Sequence, residues 1–213
     1  MIKKLLIAGI IGSSLFALMP KQQAILNKLQ TIKPQTISLQ EHKDLVDILE
    51  EEKLARDVYL TLGKKWNIPV LLGVAKRSET FHMRMVKELL KRYKLENPIK
   101  SEKIGYFTLP KYQKLYKELV KKGSKSKIDA LKVGALIEDL DLYDIHEAKN
   151  RTDNKDIKFI YSNLIRGSEH HMVKFISALR KLGGNYKPKY ISQTYFENIL
   201  KRGLPKGCKN PNN

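Results

Sequence analysis

A carboxylate and an imidazole recur at helical spacing within an apolar pattern. Glu79 and His82 are three residues apart in the stretch RSETFHMRMVKELLKRY, residues 77–93, whose apolar positions follow one face of an amphipathic helix. Side chains three positions apart are neighbours on a helix surface. Glu79 and His82 share the side that carries Val86 and Leu89, so they are either surface residues or ligands turned toward a buried site.

Polar groups also lie on the predicted core faces of three other helical stretches. These groups are Glu52 in the first helix, Glu138 and Asp141 in the third, and Ser168 and His171 in the fourth. A lone core histidine is more often hydrogen-bonded than bound to metal. Several carboxylates buried at matching heights repel one another unless cations neutralise them. The pattern therefore favours a metal site over a metal-free polar core, whereas Glu50 and Glu51 point more to the sides of the first helix.

Two divalent or trivalent cations would neutralise this cluster. The candidate ligands are Glu52, Glu79, His82, Glu138, Asp141 and His171. Carboxylates can bridge two ions, and each imidazole can bind one of them. A ligand set that is rich in oxygen and contains some nitrogen suits iron or manganese, with zinc as a further alternative.

The elements that must position these groups are predicted to be helices. Ser38 and Glu41 form a capping box that opens the first helix. The long helices are predicted over residues 38–63, 69–93, 126–150 and 153–183, with a short helix over 110–120. No alternating strand pattern of useful length accompanies them. An all-α four-helix bundle, with a long crossover that contains the short helix, is the economical way to bury four apolar stripes.

Four segments carry a resemblance to a known superfamily. EEKLARDVYLTL, SETFHMRMV, LIEDLDLYDI and RGSEHHMVKFISAL resemble the helices of a ferritin-like di-iron protein of the rubrerythrin type. They resemble more closely a bacterial ferritin-like family known only as a domain of unknown function. The resemblance covers about Ser38 to Ser192, which is most of the chain after its N-terminal segment.

The resemblance extends to individual ligand positions. Its first-helix Glu, with a Tyr seven residues later, is matched by Glu52 and Tyr59, and Tyr59 thereby becomes a candidate catalytic residue. A tyrosine that only packs in the core, with its hydroxyl hydrogen-bonded, would give the same sequence pattern. The second-helix pattern Glu-x-x-His is matched by Glu79 and His82. The third-helix pattern Glu-x-x-Glu is matched in part, because its second acid is the shorter Asp141.

The fourth helix departs from the pattern at one position. Its Glu-x-x-His motif is matched by His171, but the residue three before it is Ser168. Glu169 is about 100° around the helix and is a poor substitute, and His170 is also off the face. The missing carboxylate could leave an open coordination position for an oxidant.

The resemblance implies a di-iron (or di-manganese) protein that oxidises ferrous iron with oxygen or peroxide, and thus a candidate di-iron oxidoreductase. A homodimer is compatible with this reading. The alternative is a non-catalytic metal-binding or structural helical bundle whose basic surface docks on an anionic envelope partner. Function does not follow from fold, so both stay open.

The composition excludes some classes of partner and of metal site. The formal net charge is +19, from 41 Lys and Arg against 22 Asp and Glu. Because the lysines are dispersed along every segment, they indicate a solvated surface rather than a nucleic-acid site, with at most weak attraction to an anionic membrane. Cys208 is the one cysteine, which excludes a disulfide within the chain and a rubredoxin-type centre with four cysteine ligands.

The first 24 residues are typical of a secretory signal peptide. Lys3 and Lys4 precede an apolar run from Leu5 to Met19, which is shorter than the ~20 residues of a spanning helix. The cleavage site is poorly defined, so an uncleaved anchor is the alternative, and either predicts a periplasmic or secreted domain. The rest is predicted to be a linker over 25–37, the bundle over 38–185 and a basic irregular tail over 186–213, with a helical turn or more near Thr194–Leu200.

Overall fold

The computed structural model of the protein describes residues 19–203. Over these residues the chain is helical and contains no strand, which confirms the predicted all-α class. The elements are α1 (Pro20–Thr31), α2 (Leu39–Trp66), α3 (Pro69–Gly73), a π-helical segment (Val74–Glu79), α4 (Thr80–Arg92), α5 (Pro110–Gly123), α6 (Lys127–Arg151), α7 (Lys155–Lys181) and α8 (Gln193–Gly203).

Four long helical stretches surround the core. They are α2, the continuous stretch from α3 through the π segment to α4, α6 and α7. Contacts run from α2 to α6, from α6 to α7, from α7 to α4, and from α4 back to α2. The apolar side chains on their inner faces form one continuous hydrophobic cluster. Helix α5 is the predicted short helix in the connection between α4 and α6. It packs on α2 and α6.

The helix starts follow local hydrogen bonding. The Ser38 hydroxyl accepts from the Glu41 amide at 3.2 Å, and a Glu41 carboxylate oxygen accepts from the Ser38 amide at 2.7 Å, which confirms the capping box. Ser126 caps α6 in a similar way, because its hydroxyl accepts from the Asp129 amide at 3.0 Å. Helix α7 begins two residues later than Asp153, after an N-cap at Asn154.

The segments outside the core are more ordered than predicted. Residues 25–37 are not a linker throughout, because α1 extends to Thr31 and buries Leu26 and Leu29. The helical turn predicted near Thr194–Leu200 is confirmed and is part of a longer helix, because α8 covers Gln193–Gly203, packs on α7 and buries three apolar side chains, namely Phe196, Ile199 and Leu200. Apolar residues spaced three or four apart explain both helices.

The predicted signal peptide lies mainly outside the described residues, as do the end of the tail and Cys208. Between residues 19 and 203 no helix is long and apolar enough to cross a membrane.

Candidate metal centre

All six predicted ligands are buried in the space between α2, α4, α6 and α7. Each is at most 3% exposed; they are Glu52, Glu79, His82, Glu138, Asp141 and His171. Each long stretch supplies at least one of them. Charged side chains are almost never buried to this degree unless they are paired or neutralised.

Glu79 lies between the two imidazoles. One of its oxygens is 3.1 Å from Nδ1 of His82, and the other is 2.9 Å from Nδ1 of His171. The two rings are stacked, with centroids 5.2 Å apart and planes inclined by 27°. One ligand atom from each of these three residues lies within 4.8 Å of the other two, which is close enough for one ion to bind all three.

Two further carboxylates extend the cluster on either side. Glu52 Oε2 is 3.0 Å from Nδ1 of His82, and Glu138 Oε1 is 3.3 Å from Nδ1 of His171. Each imidazole thus presents the same nitrogen to two carboxylates. Five of the six predicted ligands form one chain of contacts, and Asp141 adjoins it through Ser168 on α7.

Several atoms of the cluster lack hydrogen-bond partners. They are Glu52 Oε1, Glu79 Oε1, Asp141 Oδ1 and His171 Nδ1. Nδ1 of His171 and Oε1 of Glu79 are close, yet neither has a partner in hydrogen-bonding alignment. Unpartnered buried polar atoms destabilise a fold by about 1–3 kcal/mol each, and more if charged. Carboxylate oxygens and imidazole nitrogens that converge on a shared space and leave four atoms without hydrogen-bond partners fit a metal ion.

The carboxyl groups differ in their affinity for protons. Burial and the charges of Asp141 and Glu79 raise the pKa of Glu52 well above its usual range. Burial and Glu138 raise the pKa of Asp141 to about 8, against the opposing effect of the Ser168 hydroxyl. Without a cation, Asp141 therefore holds a proton at neutral pH, and Glu52 binds its proton more tightly than an exposed glutamate does. Metal ions would displace these protons on binding.

The histidines and Glu79 stabilise one another as charged groups. Burial opposes ionisation of Glu79, but His171 and His82 together lower its pKa below the usual range. Burial likewise opposes protonation of His171, but Glu79 and Glu138 raise the pKa of this imidazole to about 9. The position of Glu79 between two imidazoles is thus electrostatically favourable even without metal.

Tyr59 is fixed at the edge of the cluster. Its hydroxyl donates to Glu138 Oε1 at 2.7 Å, and its ring meets Phe175 edge-on at a centroid distance of 5.0 Å. The residue is fully buried. Burial and Glu138 raise the pKa of the phenol well above its usual range, so it stays protonated at neutral pH and can donate this hydrogen bond.

Ser168 faces the cluster, as the predicted register of α7 requires. It is fully buried, and its hydroxyl donates to Asp141 Oδ2. Glu169 points away and accepts from Tyr195 and Arg202 of the α8 region, while His170 is exposed. Neither neighbour of Ser168 and His171 can replace the missing carboxylate.

Ser78 was missed by sequence reasoning. Its hydroxyl lies 2.6 Å from Nε2 of His171 and so orients the opposite nitrogen toward the carboxylates. The prediction assumed a continuous α-helix over 69–93, in which Ser78 falls beside the core face. The π segment Val74–Glu79 changes that register, and a pattern with a 3.6-residue period gives no signal of it.

Gly167 was also missed, although a glycine within a helical pattern is a visible signal. A Cβ atom at this position would lie 2.2 Å from Nε2 of His82. Only glycine lets the imidazole pack directly against the backbone of α7. The sequence RGSEHH therefore supplies two functions, a ligand at His171 and the space for His82 at Gly167.

The acidic neighbours of Glu52 are buried rather than exposed at the sides of α2. Glu50 accepts from the Thr108 amide at 3.1 Å and so fixes the connection before α5. Glu51 is 2% exposed, and its Oε1 has no partner. Burial and the charges of Asp141 and Asp144 raise the pKa of Glu51 well above its usual range.

The chain is similar to known proteins over most of its length. The family described as "Uncharacterized protein domain (DUF2202)" matches residues 41–203. "Uncharacterized protein MJ0754" of Methanocaldococcus jannaschii is 47% identical over 183 residues, which are 86% of this chain and 98% of that protein. The crystal structure of hypothetical protein MJ0754 from Methanococcus jannaschii superposes with a TM-score of 0.79 at 50% identity, and the match covers 80% of this chain and 97% of that one.

Proposed function

The chain belongs to the DUF2202 family, and we propose that it is a ferritin-like four-helix bundle whose buried cluster holds two iron ions, with manganese as the alternative. The activity we propose is oxidation of ferrous iron by oxygen or peroxide. Support for the bundle comes from the contacts that link α2, α6, α7 and α4 in a ring. Support for the centre comes from its ligands, which project inward from all four stretches.

The observation that carries the proposal is the pair of imidazoles on either side of Glu79. Both present Nδ1 to two carboxylates, and although His82 Nδ1 is hydrogen-bonded to Glu52, neither His171 Nδ1 nor Glu79 Oε1 has a hydrogen-bond partner. A metal-free polar core would pair each buried polar atom with a hydrogen-bond partner. Glu79, His82 and His171 would hold the metal, and Glu52 and Glu138 would complete the ligand set on either side.

Bound iron would supply a one-electron redox couple at this site. The side chains would hold the ions, exclude water and manage protons. Glu52 and Asp141 would release protons on metal binding and accept them again at low pH, since their pKa values are raised. Tyr59, the candidate catalytic residue, would orient Glu138 through its hydroxyl and hold a proton beside that carboxylate.

Ser168 is where we place access for the oxidant. A serine cannot bridge two ions as a glutamate does, and its hydroxyl is directed to Asp141. The ligand set is therefore one carboxylate short of the ferritin-like pattern on the α7 side of the cluster. An open coordination position on that side would suit oxygen or peroxide.

Oxygen uptake on addition of ferrous iron tests the proposal. The unchanged protein should consume oxygen faster than buffer alone, and His171→Ala should reduce the rate to that of buffer. His170→Ala is the matched control, because this exposed neighbour lies off the cluster. Metal binding without oxygen or peroxide consumption would instead favour the non-catalytic bundle that docks on an anionic envelope partner.

A further inference from the structure

A second acidic site lies outside the buried centre. A cleft of about 230 Å³ separates the first half of α2 from the second half of α6, and α5 forms its rim. Five carboxylate residues line it, namely Asp44, Asp47, Glu51, Asp144 and Glu147. At ~30 Å³ for each water molecule, the cleft has room for several waters around an ion.

Two of these carboxylates remain without a cationic partner in the described part of the chain. Arg151 pairs with Asp44 at 3.0 Å and with Glu147 at 3.9 Å, and Lys111 pairs with Asp47 at 2.9 Å. Asp144, which is partly exposed, forms no ion pair or hydrogen bond within residues 19–203. Glu51 forms no ion pair there either.

The buried side chain of Glu51 is a second observation, independent of the acidic lining, that points to a bound cation. It lines the cleft, is 98% buried, and its Oε1 has no hydrogen-bond partner. A buried carboxylate oxygen without a partner destabilises the fold, whereas an exposed acid on a helix surface does not. Its place at the inner end of the cleft indicates a cation-binding role rather than solvation.

The cleft and the buried centre meet at adjacent positions of the same two helices. Glu51 precedes the ligand Glu52 in α2, and Asp144 follows the ligand Asp141 by three residues in α6. Three residues are nearly one helical turn, or about 4.5 Å of rise. An ion between Glu51 and Asp144 would therefore lie one turn outside the centre.

We propose that Glu51 and Asp144 form an outer binding site for a divalent cation and that ions pass through this cleft into the buried centre. The inference rests on the proposed metal centre as its destination. Lys111, whose side chain is more than half exposed, is ion-paired at the rim and can be displaced by an arriving cation. The net charge of the protein is positive, so a local acidic cleft favours the approach of cations at this face.

The rate at which Co²⁺ fills the metal-stripped full-length protein tests this proposal, because visible absorbance reports ions bound at the centre. Glu51→Gln and Asp144→Asn should each slow filling, by about tenfold for Glu51, since charged clefts raise association rates by 10-fold or more. The final absorbance should not change. Glu118→Gln, which removes one negative charge from the exposed side of α5 outside this cleft, should fill at the parent rate.

The outcomes are separable. Parent-like filling rates for both cleft variants would overturn the entry site and leave the proposed centre intact, and equal slowing by Glu118→Gln would also overturn it. A lower final absorbance would assign Glu51 or Asp144 to the centre itself and contradict an outer site. No Co²⁺ bound by the unchanged protein would overturn the centre and the entry site together.

Discussion

At the scale of single residues, the buried cluster depends on contacts that only one type of side chain permits. Glu79 serves two imidazoles at once, with one oxygen 3.1 Å from His82 and the other 2.9 Å from His171. Aspartate would be too short to reach both. The space for His82 depends in turn on the absence of a side chain at Gly167.

Gly167→Ala should destabilise the protein even though alanine favours helix. The added methyl group would contact His82 Nε2, and overpacking of this kind costs about 1–3 kcal/mol. In a His82→Ala background the clash is removed. The same change should then be neutral or stabilising by up to about 1 kcal/mol, because glycine within a helix is unfavourable.

Denaturant unfolding of the four proteins of this cycle measures the coupling between Gly167 and His82. An equal cost of Gly167→Ala in both backgrounds would mean that His82 does not pack against this glycine.

The pH dependence of the metal-free protein follows from two titrating groups of the cluster. Folding raises the pKa of Asp141 to about 8 and that of His171 to about 9. Each binds its proton more tightly in the folded state, so its stabilisation is complete below the unfolded pKa and is lost as pH rises through the folded pKa. The free energy of unfolding should therefore fall between pH 6.5 and 9 in chelator.

Thermal melts in chelator across this pH range provide the measurement. The metal-loaded protein should not show the fall, because metal binding favours the deprotonated ligands. A stability that rises from pH 6.5 to 9 in chelator would contradict the arrangement of charges described for the cluster.

At the scale of the elements, hydrogen bonds to a buried carboxylate hold helices together around the site. Asp139 of α6 is fully buried and accepts from the Tyr186 hydroxyl at 2.6 Å and from the Ile191 amide at 2.9 Å, together with the amides of Lys189 and Tyr190. This carboxylate fixes the segment that leads into α8. Helix α8 is thereby held against α7, which carries His171.

Asp139→Asn should loosen the segment 186–203. An amide offers one acceptor oxygen where the carboxylate offers two charged ones, so we expect a loss of about 1.5–3 kcal/mol. Hydrogen exchange should become faster over 186–203 before it does so in α6. Asp153→Asn, at an exposed position, should change stability by no more than about 0.5 kcal/mol. Unchanged hydrogen exchange over this segment in Asp139→Asn would contradict the role of Asp139 in fixing it.

The long helices and their inward faces could be predicted because their signals are local. Ser38 with Glu41 and Ser126 with Asp129 mark helix starts through hydrogen bonds within one turn. The 3.6-residue period of the apolar positions predicted which side chains face the core. It placed Glu52, Glu138 and His171 correctly on buried faces.

The remaining features depend on tertiary contacts. The π segment Val74–Glu79 is stabilised by its packing on α2, so Ser78 could not be assigned to His171 from spacing. Helices α1 and α8 are short and gain their stability by burying Leu29 and Ile199 against other elements. The burial of Glu51 depends on α5 and α6, which are distant in sequence.

At the scale of the whole molecule, metal and fold are linked. The core contains carboxyl groups and imidazoles that cannot all be satisfied by one another, since four of their atoms lack partners. Ions that bind only the folded state stabilise it by mass action. The protein should therefore melt roughly 5–10 °C higher for each ion bound, with metal at about 100 times its Kd, than in chelator.

Differential scanning calorimetry with and without chelator measures this shift. His170→Ala should keep the shift and His171→Ala should lose most of it, because only His171 faces the cluster. Identical melting of the unchanged protein in both conditions would favour a polar core that needs no cation.

Metal content tests most directly whether a di-metal centre is formed by the six buried side chains Glu52, Glu79, His82, Glu138, Asp141 and His171. Protein purified without added metal and then loaded with ferrous iron under anaerobic conditions should carry close to two ions per chain after desalting. His170→Ala should carry the same amount, and the double variant His82→Ala with His171→Ala should carry none. Retention of two ions by the folded double variant, or their absence from the unchanged protein, would contradict the claim.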